Sequence, residues 1–485
     1  MIHQFKFNGF NIVVDANSAS VHSVDDAAYD VISRCDELIM SHPGNSLKKR
    51  ALEILGDPAF RNDLAAELSA VYEIPQSDLS EVMDDLIELC SEGLIWSDDP
   101  YEEAAGDLKL KQSVLKAICL HVAHGCNMDC EYCFAGKGDY SGKSGIMSLE
   151  TGKKALDYLV ANSGNRKHLE VDFFGGEPLL NWDVCKKLVE YGRELEKTHN
   201  KIFNFTLTTN GVLIDEDVID FTDREMGNVV LSMDGRRETH DRMRHTKSGD
   251  GTYDRIMDNF KALVRSRTDD TKDHRSSEYY MRGTYTAYNK DFSRDVIAMA
   301  DLGFRETSIE PVVSSPDVPY ALHEEDLPQL FDEYEKLALE MYDRRKRGEG
   351  FNFYHYTVNL TGGPCIYKRV AGCGVATEYL AVTPTGDLYP CHQFVGDDDM
   401  IVGNIYEGIT HPETVKIFSA GNNLYTRDEC RGCWAKLYCA GGCAANNYHS
   451  NGDINKVYKF GCELQRKRIE CALMLAVSGS EERSE

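Results

Sequence analysis

The sequence predicts an α/β protein: an open partial barrel of six β/α units, (β/α)6, between a small front module and a cysteine-rich end. Three observations carry this. Strand-like runs and helix-length stretches alternate from 115 to about 315 of the 485 residues. Sixteen cysteines are present, and they cluster rather than scatter. An apolar content of 42% can fill real cores.

The front module spans 1–95. "HQFKFNGFNIVVD" and "ASVHSVD" alternate apolar and polar residues and read as strands. "DDAAYDVISRC" and "SDLSEVMDDLIELCSEGL" read as helices, the second ending at a capping Gly93. Strands plus helices of this size suggest a winged-helix-like module. The acidic second helix argues against DNA as its partner. "SDDPYEEAAGDLKLKQ" is polar, and 96–114 is expected to be a linker.

The barrel is assigned to 115–320. Its strands are "KAICLHV", "LEVDFFGG", "FNFTLTTN", "NVVLSMD", "YYMRGTYTA" and "RETSIEPVV". Helix patterns such as "SLETGKKALDYLVANS" and "NWDVCKKLVEYGRELEKT" lie between them, so the strands run parallel under covering helices. Right-handed crossovers curl such a sheet into an open barrel. Chemistry in this architecture sits at the C-terminal strand ends. A connecting helix is expected within 321–362, with "RRKRG" at 344–348 as a solvated basic face. The cysteine-rich region is assigned to 363–475 and a disordered tail to 476–485.

The 53 basic and 80 acidic residues leave a net charge of −27. That excludes a broad basic grip on nucleic acid. No basic-then-apolar leader opens the chain and no apolar run reaches membrane length, so neither membrane nor export is expected and the location expected is cytoplasmic. Clustered cysteines in a reducing compartment point to metal rather than disulfides.

Cys126, Cys130 and Cys133 follow the first barrel strand in "HGCNMDCEYCFAG". Three thiolates are one short of a closed zinc site, for which His121 or His124 could supply the fourth ligand. They can also hold three irons of a [4Fe–4S] cluster, leaving a corner open. The Cys-x3-Cys-x2-Cys run at the tip of strand one resembles the radical SAM enzymes. That resemblance implies that the open iron binds S-adenosylmethionine through its amino and carboxylate groups. It places Tyr132 beside the adenine, and Gly175, Gly176 and Glu177 of "FGGEP" at the methionine amine. Thr209 and Asn210 of "TTNG" and Ser232 of "SMDG" are expected to line the ribose and methionine pocket. Arg244 is either the partner of the methionine carboxylate or a surface arginine in a polar loop.

Nine cysteines fall between 365 and 471. Cys373, Gly386 and Cys391 precede "CRGCWAKLYCAGGC", which holds Cys430, Cys433, Cys439 and Cys443, and Cys462 follows. The alternative reading is two zinc sites stapling loops. The seven-cysteine arrangement resembles the SPASM domain of peptide-modifying radical SAM enzymes, which carries two auxiliary [4Fe–4S] clusters. The resemblance implies one closed cluster on Cys430, Cys433, Cys439 and Cys462. It implies a second on Cys373, Cys391 and Cys443, whose fourth corner is Cys365 or an open iron that takes a substrate thiolate. Cys35, Cys90, Cys119, Cys185 and Cys471 lack such spacing and read as small buried apolar residues.

The front module resembles the recognition element of enzymes that modify ribosomally made peptides, which binds an extended leader as an added strand. With "GPCIYKRVAGCG" and "EYLAVTPTGDLYPCHQFVG", nearly the whole chain resembles the maturases of SCIFF peptides, small cysteine-rich precursors of the ranthipeptide type. That implies thioether formation between a peptide cysteine and a carbon of an acceptor residue. It implies three [4Fe–4S] clusters, S-adenosylmethionine and an external one-electron donor such as ferredoxin or flavodoxin. The alternatives are another SPASM reaction, such as formylglycine formation on a sulfatase, or a non-catalytic iron–sulfur electron carrier.

Overall fold

The computed structural model describes residues 1–44, 46–103, 105, 114–271, 275–360 and 365–481. The chain opens with an antiparallel sheet in the order β1 (Ile2–Phe7), β2 (Phe10–Asp15), β3 (Val21–Val24). Asn8 and Gly9 turn the first hairpin with φ of 53° and 81°, the positive angles a tight two-residue turn requires. Strand β2 alternates: Val13 enters the module's own core, whereas Ile12 and Val14 enter the main core of the protein.

Four helices follow, α1 (Asp26–Ser41), α2 (Leu47–Leu55), α3 (Pro58–Tyr72) and α4 (Gln76–Glu92). Asp25 caps α1 by accepting from Ala28 N, and Gly93 ends α4 at φ 76° as expected. The pair α2 and α3 was not among the expected helices. Helix α2 does set Ala51 and Leu55 on one buried face but is only nine residues long, whereas α3 spreads its alanines and charges around its axis and gives no clear apolar stripe.

The second sheet is mixed. Its order is β11-β10-β9-β8-β7-β6-β4-β12-β13-β14-β15, with β5 paired to β4. The expected parallel strands are all present: β4 (Ala117–His124), β6 (His168–Gly175), β7 (Ile202–Thr209), β8 (Asn228–Ser232), β9 (Tyr279–Tyr285) and β10 (Glu306–Pro311). The short β5 (Gly145–Ile146) is antiparallel to β4, and β11 (Asn352–Phe353) extends the parallel run beyond β10. Ile118, Leu120, Val122, Val171, Phe173, Phe205, Leu207, Val229 and Leu231 face the covering helices. Alternation sends Cys119, His121, Asp172, Phe174, Thr206 and Arg282 to the opposite face.

Three expectations are corrected. The cysteine-rich region is not loops alone: β12 (Tyr379–Val382) joins β4 in parallel, and β13 (Asp387–Tyr389), β14 (Gly403–Asn404) and β15 (Gly408–Ile409) continue antiparallel. Strand β4 is buried along its whole length because it has a neighbour on both sides. Residues 476–481, assigned to a disordered tail, complete the helix Lys459–Glu481; 482–485 lie outside the described residues. Leu473, Met474 and Val477 bury that helix in the main core. The basic run at 344–348 is not simply solvated. Arg344 pairs with Asp301 at 2.7 Å and Glu340 at 2.6 Å, and Arg345 donates to Leu475 O at 3.1 Å.

The assigned linker is firmly held where it begins. Trp96 is fully buried and donates to Asp36 Oδ1 at 3.0 Å, and Ser97 donates to Asp15 through both its N–H and its hydroxyl. Asp99 reaches the cysteine-rich region, where Lys436 Nζ meets its Oδ2 at 2.6 Å and also donates to Asn17 Oδ1 at 2.7 Å. Residues 104 and 106–113 of the linker lie outside the described residues.

Candidate functional site

The loop after β4 carries Cys126, Cys130 and Cys133, all half-buried. It is pinned to the tip of β6 by two glycines. Gly176 N donates to Ala123 O at 2.8 Å, and a Cβ on Gly176 would lie 2.1 Å from Gly125 O. A Cβ on Gly175 would lie 2.3 Å from Ala123 O, so only glycine allows this approach. Burial pushes the Cys126 thiol up to about 11 and the Cys130 thiol up to about 12; Cys126 and Cys133 add to the latter while Arg244 opposes. The three sulfurs therefore share one electrostatic neighbourhood.

Glu177 is 1% exposed. Its Oε1 accepts from Leu179 N at 3.0 Å and Thr209 Oγ1 at 2.8 Å, and its Oε2 accepts from Asn210 N at 2.8 Å. Burial raises its pKa to about 7 against these bonds. The carboxyl thus ties the tips of β6 and β7 together. Asn210 carries the tie onward, donating to Asn127 Oδ1 at 2.7 Å with its amide nitrogen 3.7 Å from Cys126 Sγ. Ser232 ends β8, half-buried and opposite Arg282 of β9.

Arg244 is not a surface arginine. Its side chain is 11% exposed, its Nε lies 3.0 Å from Asp234 Oδ2, and its guanidinium sits 5.4 Å from the Tyr132 ring centre. Burial works against its charge, yet Asp234 and its other neighbours raise its pKa. Tyr132 donates to the same Asp234 oxygen at 2.6 Å, and Thr284 N donates to the other at 2.9 Å. Asp234 was missed as a site residue although it stands in the quoted "SMDG"; its signal was a carboxylate at a strand tip. Asn127, between the first two cysteines, was missed as well.

The late cysteines form two neighbourhoods. Burial raises Cys462 to about 12, with Cys439, Cys430 and Cys433 adding to it. Cys391 is raised to about 12 by burial, with Cys443 and Cys373 adding. A division into four and three is what the resemblance to the SPASM domain implied. Cys373 is exposed, Cys391 is buried, and Cys365 is exposed at the start of the helix Ile366–Ala371. Cys35, Cys90, Cys119, Cys185 and Cys471 are all buried.

One aromatic patch borders both three-cysteine sets. Phe134, next to Cys133, is 59% exposed. It lies 6.4 Å from Phe174 and 6.0 Å from His392, the residue after Cys391, and Phe174 lies 5.1 Å from His392. Arg282, Glu310 and Arg468 lie on the same side of the sheet. Arg468 meets Glu310 at 2.9 Å and, against burial, helps hold its carboxyl at about 2.

The thiols fit iron–sulfur clusters better than zinc. Among the described residues, no three His, Cys, Asp or Glu side chains converge tightly enough for a single ion. Zinc draws its thiolates to about 2.3 Å of one point, whereas a cluster places each on a different iron. His124, a candidate fourth zinc ligand, is occupied by Lys143 O at 2.7 Å and His121 at 3.3 Å. Asn127 Nδ2 and His121 Nε2 are buried without a partner among the described residues.

Residues 120–276 match the radical SAM superfamily, and residues 373–434 match the SPASM iron–sulfur cluster-binding domain. The chain thus carries a radical SAM domain and a SPASM domain. It is 23% identical over 377 residues to the radical SAM cyclopropyl synthase TigE of Paramaledivibacter caminithermalis, covering 73% of each chain. It is 26% identical to a cysteine-type anaerobic sulfatase-maturating enzyme of Clostridium perfringens, over 68% of this chain and 88% of that one. In fold it resembles anSMEcpe with bound AdoMet and Kp18Cys peptide, with a TM-score of 0.61 at 22% identity over 76% of this chain and 99% of that one. It also resembles Streptococcus suis SuiB bound to precursor peptide SuiA, with a TM-score of 0.50 at 14% identity over 94% of this chain and 97% of that one. No helix among the described residues is long and apolar enough to cross a membrane.

Proposed function

We propose that this radical SAM/SPASM enzyme joins a cysteine sulfur to a carbon of an acceptor residue within a ribosomally made, cysteine-rich peptide of the SCIFF type. One observation carries the reading: the two incomplete cysteine sets border one aromatic patch. A peptide lying on Phe134, Phe174 and His392 meets both. Cys126, Cys130 and Cys133 would hold a [4Fe–4S] cluster with S-adenosylmethionine, which supplies a 5′-deoxyadenosyl radical when an external donor delivers an electron.

The residues of the chain orient and exclude. Asp234 fixes Tyr132 and Arg244, Glu177 fixes the tips of β6 and β7, and Asn210 and Asn127 brace Cys126. Phe134 offers an exposed ring to the peptide. Holding donor and acceptor side by side supplies an effective-concentration advantage. The front module would bind the leader at the edge of its three-stranded sheet; the likeness to SuiB, seen with its precursor peptide, supports this role.

The test is anaerobic incubation of the reconstituted enzyme with S-adenosylmethionine, reductant and the short cysteine-rich peptide encoded nearest this chain. The expected product has lost two hydrogens per crosslink and gained no oxygen. The second reading is formylglycine formation: at a cysteine it loses sulfur and gains oxygen at a single residue, and at a serine it loses two hydrogens but leaves an aldehyde and every cysteine thiol free. Either product overturns the thioether reading.

A further inference from the structure

We infer that Arg427 is the buried counter-charge of the cluster on Cys430, Cys433, Cys439 and Cys462, and that with Arg466 it raises the potential of this cluster. The inference rests on the cluster assignment above and goes beyond it.

Arg427 is 1% exposed. Its donors are held by neutral acceptors: Nε and Nη2 by Ile454 O at 3.2 and 2.9 Å, Nη1 by Gly441 O at 3.0 Å, and Nη2 also by Asn422 Oδ1 at 3.0 Å. None of these carries charge. A buried guanidinium without an anion is costly. The groups near it that can take up the opposing charge are the thiols of the four-cysteine set: Cys430 N donates to Arg427 O at 3.1 Å, and Cys430, Cys439 and Cys462 all act on the guanidinium. The fold makes room for it, since a Cβ on Gly441 would lie 2.5 Å from its Nη1. Arg466 stands by a second member of the set, with Nη1 3.9 Å from Cys433 Sγ, while its Nη2 pairs with Glu463, so its effect is the weaker of the two.

The three-cysteine set is surrounded differently. Cys443 receives Gln393 Nε2 at 3.9 Å, a neutral donor, and the carboxylate of Glu310 on this side of the sheet is paired with Arg468 at 2.9 Å. Reduction adds an electron to a cluster, so nearby cations favour the reduced form and nearby anions oppose it. Net charge and hydrogen bonds to sulfur are the terms by which a protein tunes such a potential. At the four-cysteine set the buried charge of Arg427 and the hydrogen bond from Arg466 to Cys433 both favour reduction.

The test is a redox titration of the holoenzyme followed by electron paramagnetic resonance, with iron content measured on the same samples. Arg427→Gln is expected to lower the midpoint of the Cys430/Cys433/Cys439/Cys462 cluster by at least tenfold in reduced-to-oxidised ratio, about 59 mV for a one-electron couple. The other two clusters keep their midpoints, and Arg427→Lys restores most of the shift. Should Arg427→Gln fail to retain the cluster, Arg466→Gln decides by a smaller shift of the same sign confined to that cluster. Full iron content with unmoved midpoints in Arg427→Gln overturns the inference, as does an unmoved midpoint in Arg466→Gln where that variant decides. Zinc in place of iron overturns the cluster assignment instead, so the two failures are distinguishable.

Discussion

The strand-tip site and the cysteine-rich region hold thiols in opposite ways. Cys126, Cys130 and Cys133 lie on one short loop, braced by side chains from β6, β7 and β8 whose positions follow from the sheet. The late sets gather cysteines from 373 to 462 out of turns and short helices, and a buried Arg427 stands at the meeting point. The difference teaches that a regular sheet can pre-form a site, whereas loops depend more on what they bind. Metal binding is then part of folding for the late region. Stripping iron should expose 373–462 to protease well before the loop at 125–140, which limited digestion of apo and reconstituted protein would show.

Among substitutions, the largest effect is expected at the strand tips. Cys130→Ala should remove S-adenosylmethionine cleavage, read as 5′-deoxyadenosine below detection. Cys373→Ala should remove peptide crosslinking while sparing part of that cleavage; normal crosslinking in this variant would break the distinction between the two regions. Next comes the clasp that joins the front module to the late region. Lys436→Met leaves the half-buried Asp99 without its cation, with only Tyr425 and Tyr101 N still donating to it, and should lower unfolding stability by about 2 kcal/mol, measured by denaturant.

Glu177 gives a pH signature for the sheet-built site. Its folded carboxyl keeps its proton to about pH 7, against an ordinary value of 4.5. Stability from this group is complete below about pH 4.5 and is lost as pH rises through 7. In thermal melts the native apoprotein should lose up to about 3 kcal/mol between pH 4.5 and pH 8 that Glu177→Gln, which has no proton to lose there, does not lose. An equal loss in both proteins would contradict the buried-carboxyl account. The smallest effect is expected at His3, which stacks on Trp434 with centroids 3.8 Å apart; His3→Ala should cost about 1 kcal/mol.

Much of this was legible in the sequence, for physical reasons. The six parallel strands announced themselves as short apolar or alternating β-prone runs separated by helix-length stretches. The cysteine groupings were implied by the resemblance that their spacing carries. What stayed hidden was long-range. Nothing local marks β12 as a strand, since four residues beside β4 acquire their role only by pairing with it. The partners Lys436 and Asp99 lie 337 positions apart, and "RRKRG" looks solvated until Leu475 and Ser478 arrive beside it. Glu177 was expected to face a ligand's amine, and in the chain alone it is the knot between two strand tips.

The account turns on three thiol sets holding three clusters. Iron and sulfide should be counted in anaerobically reconstituted protein and in the variant with Cys126, Cys130 and Cys133 all replaced by alanine. About twelve irons falling to about eight is the predicted result. Bound zinc, or an iron count indifferent to the loss of those three cysteines, would contradict it.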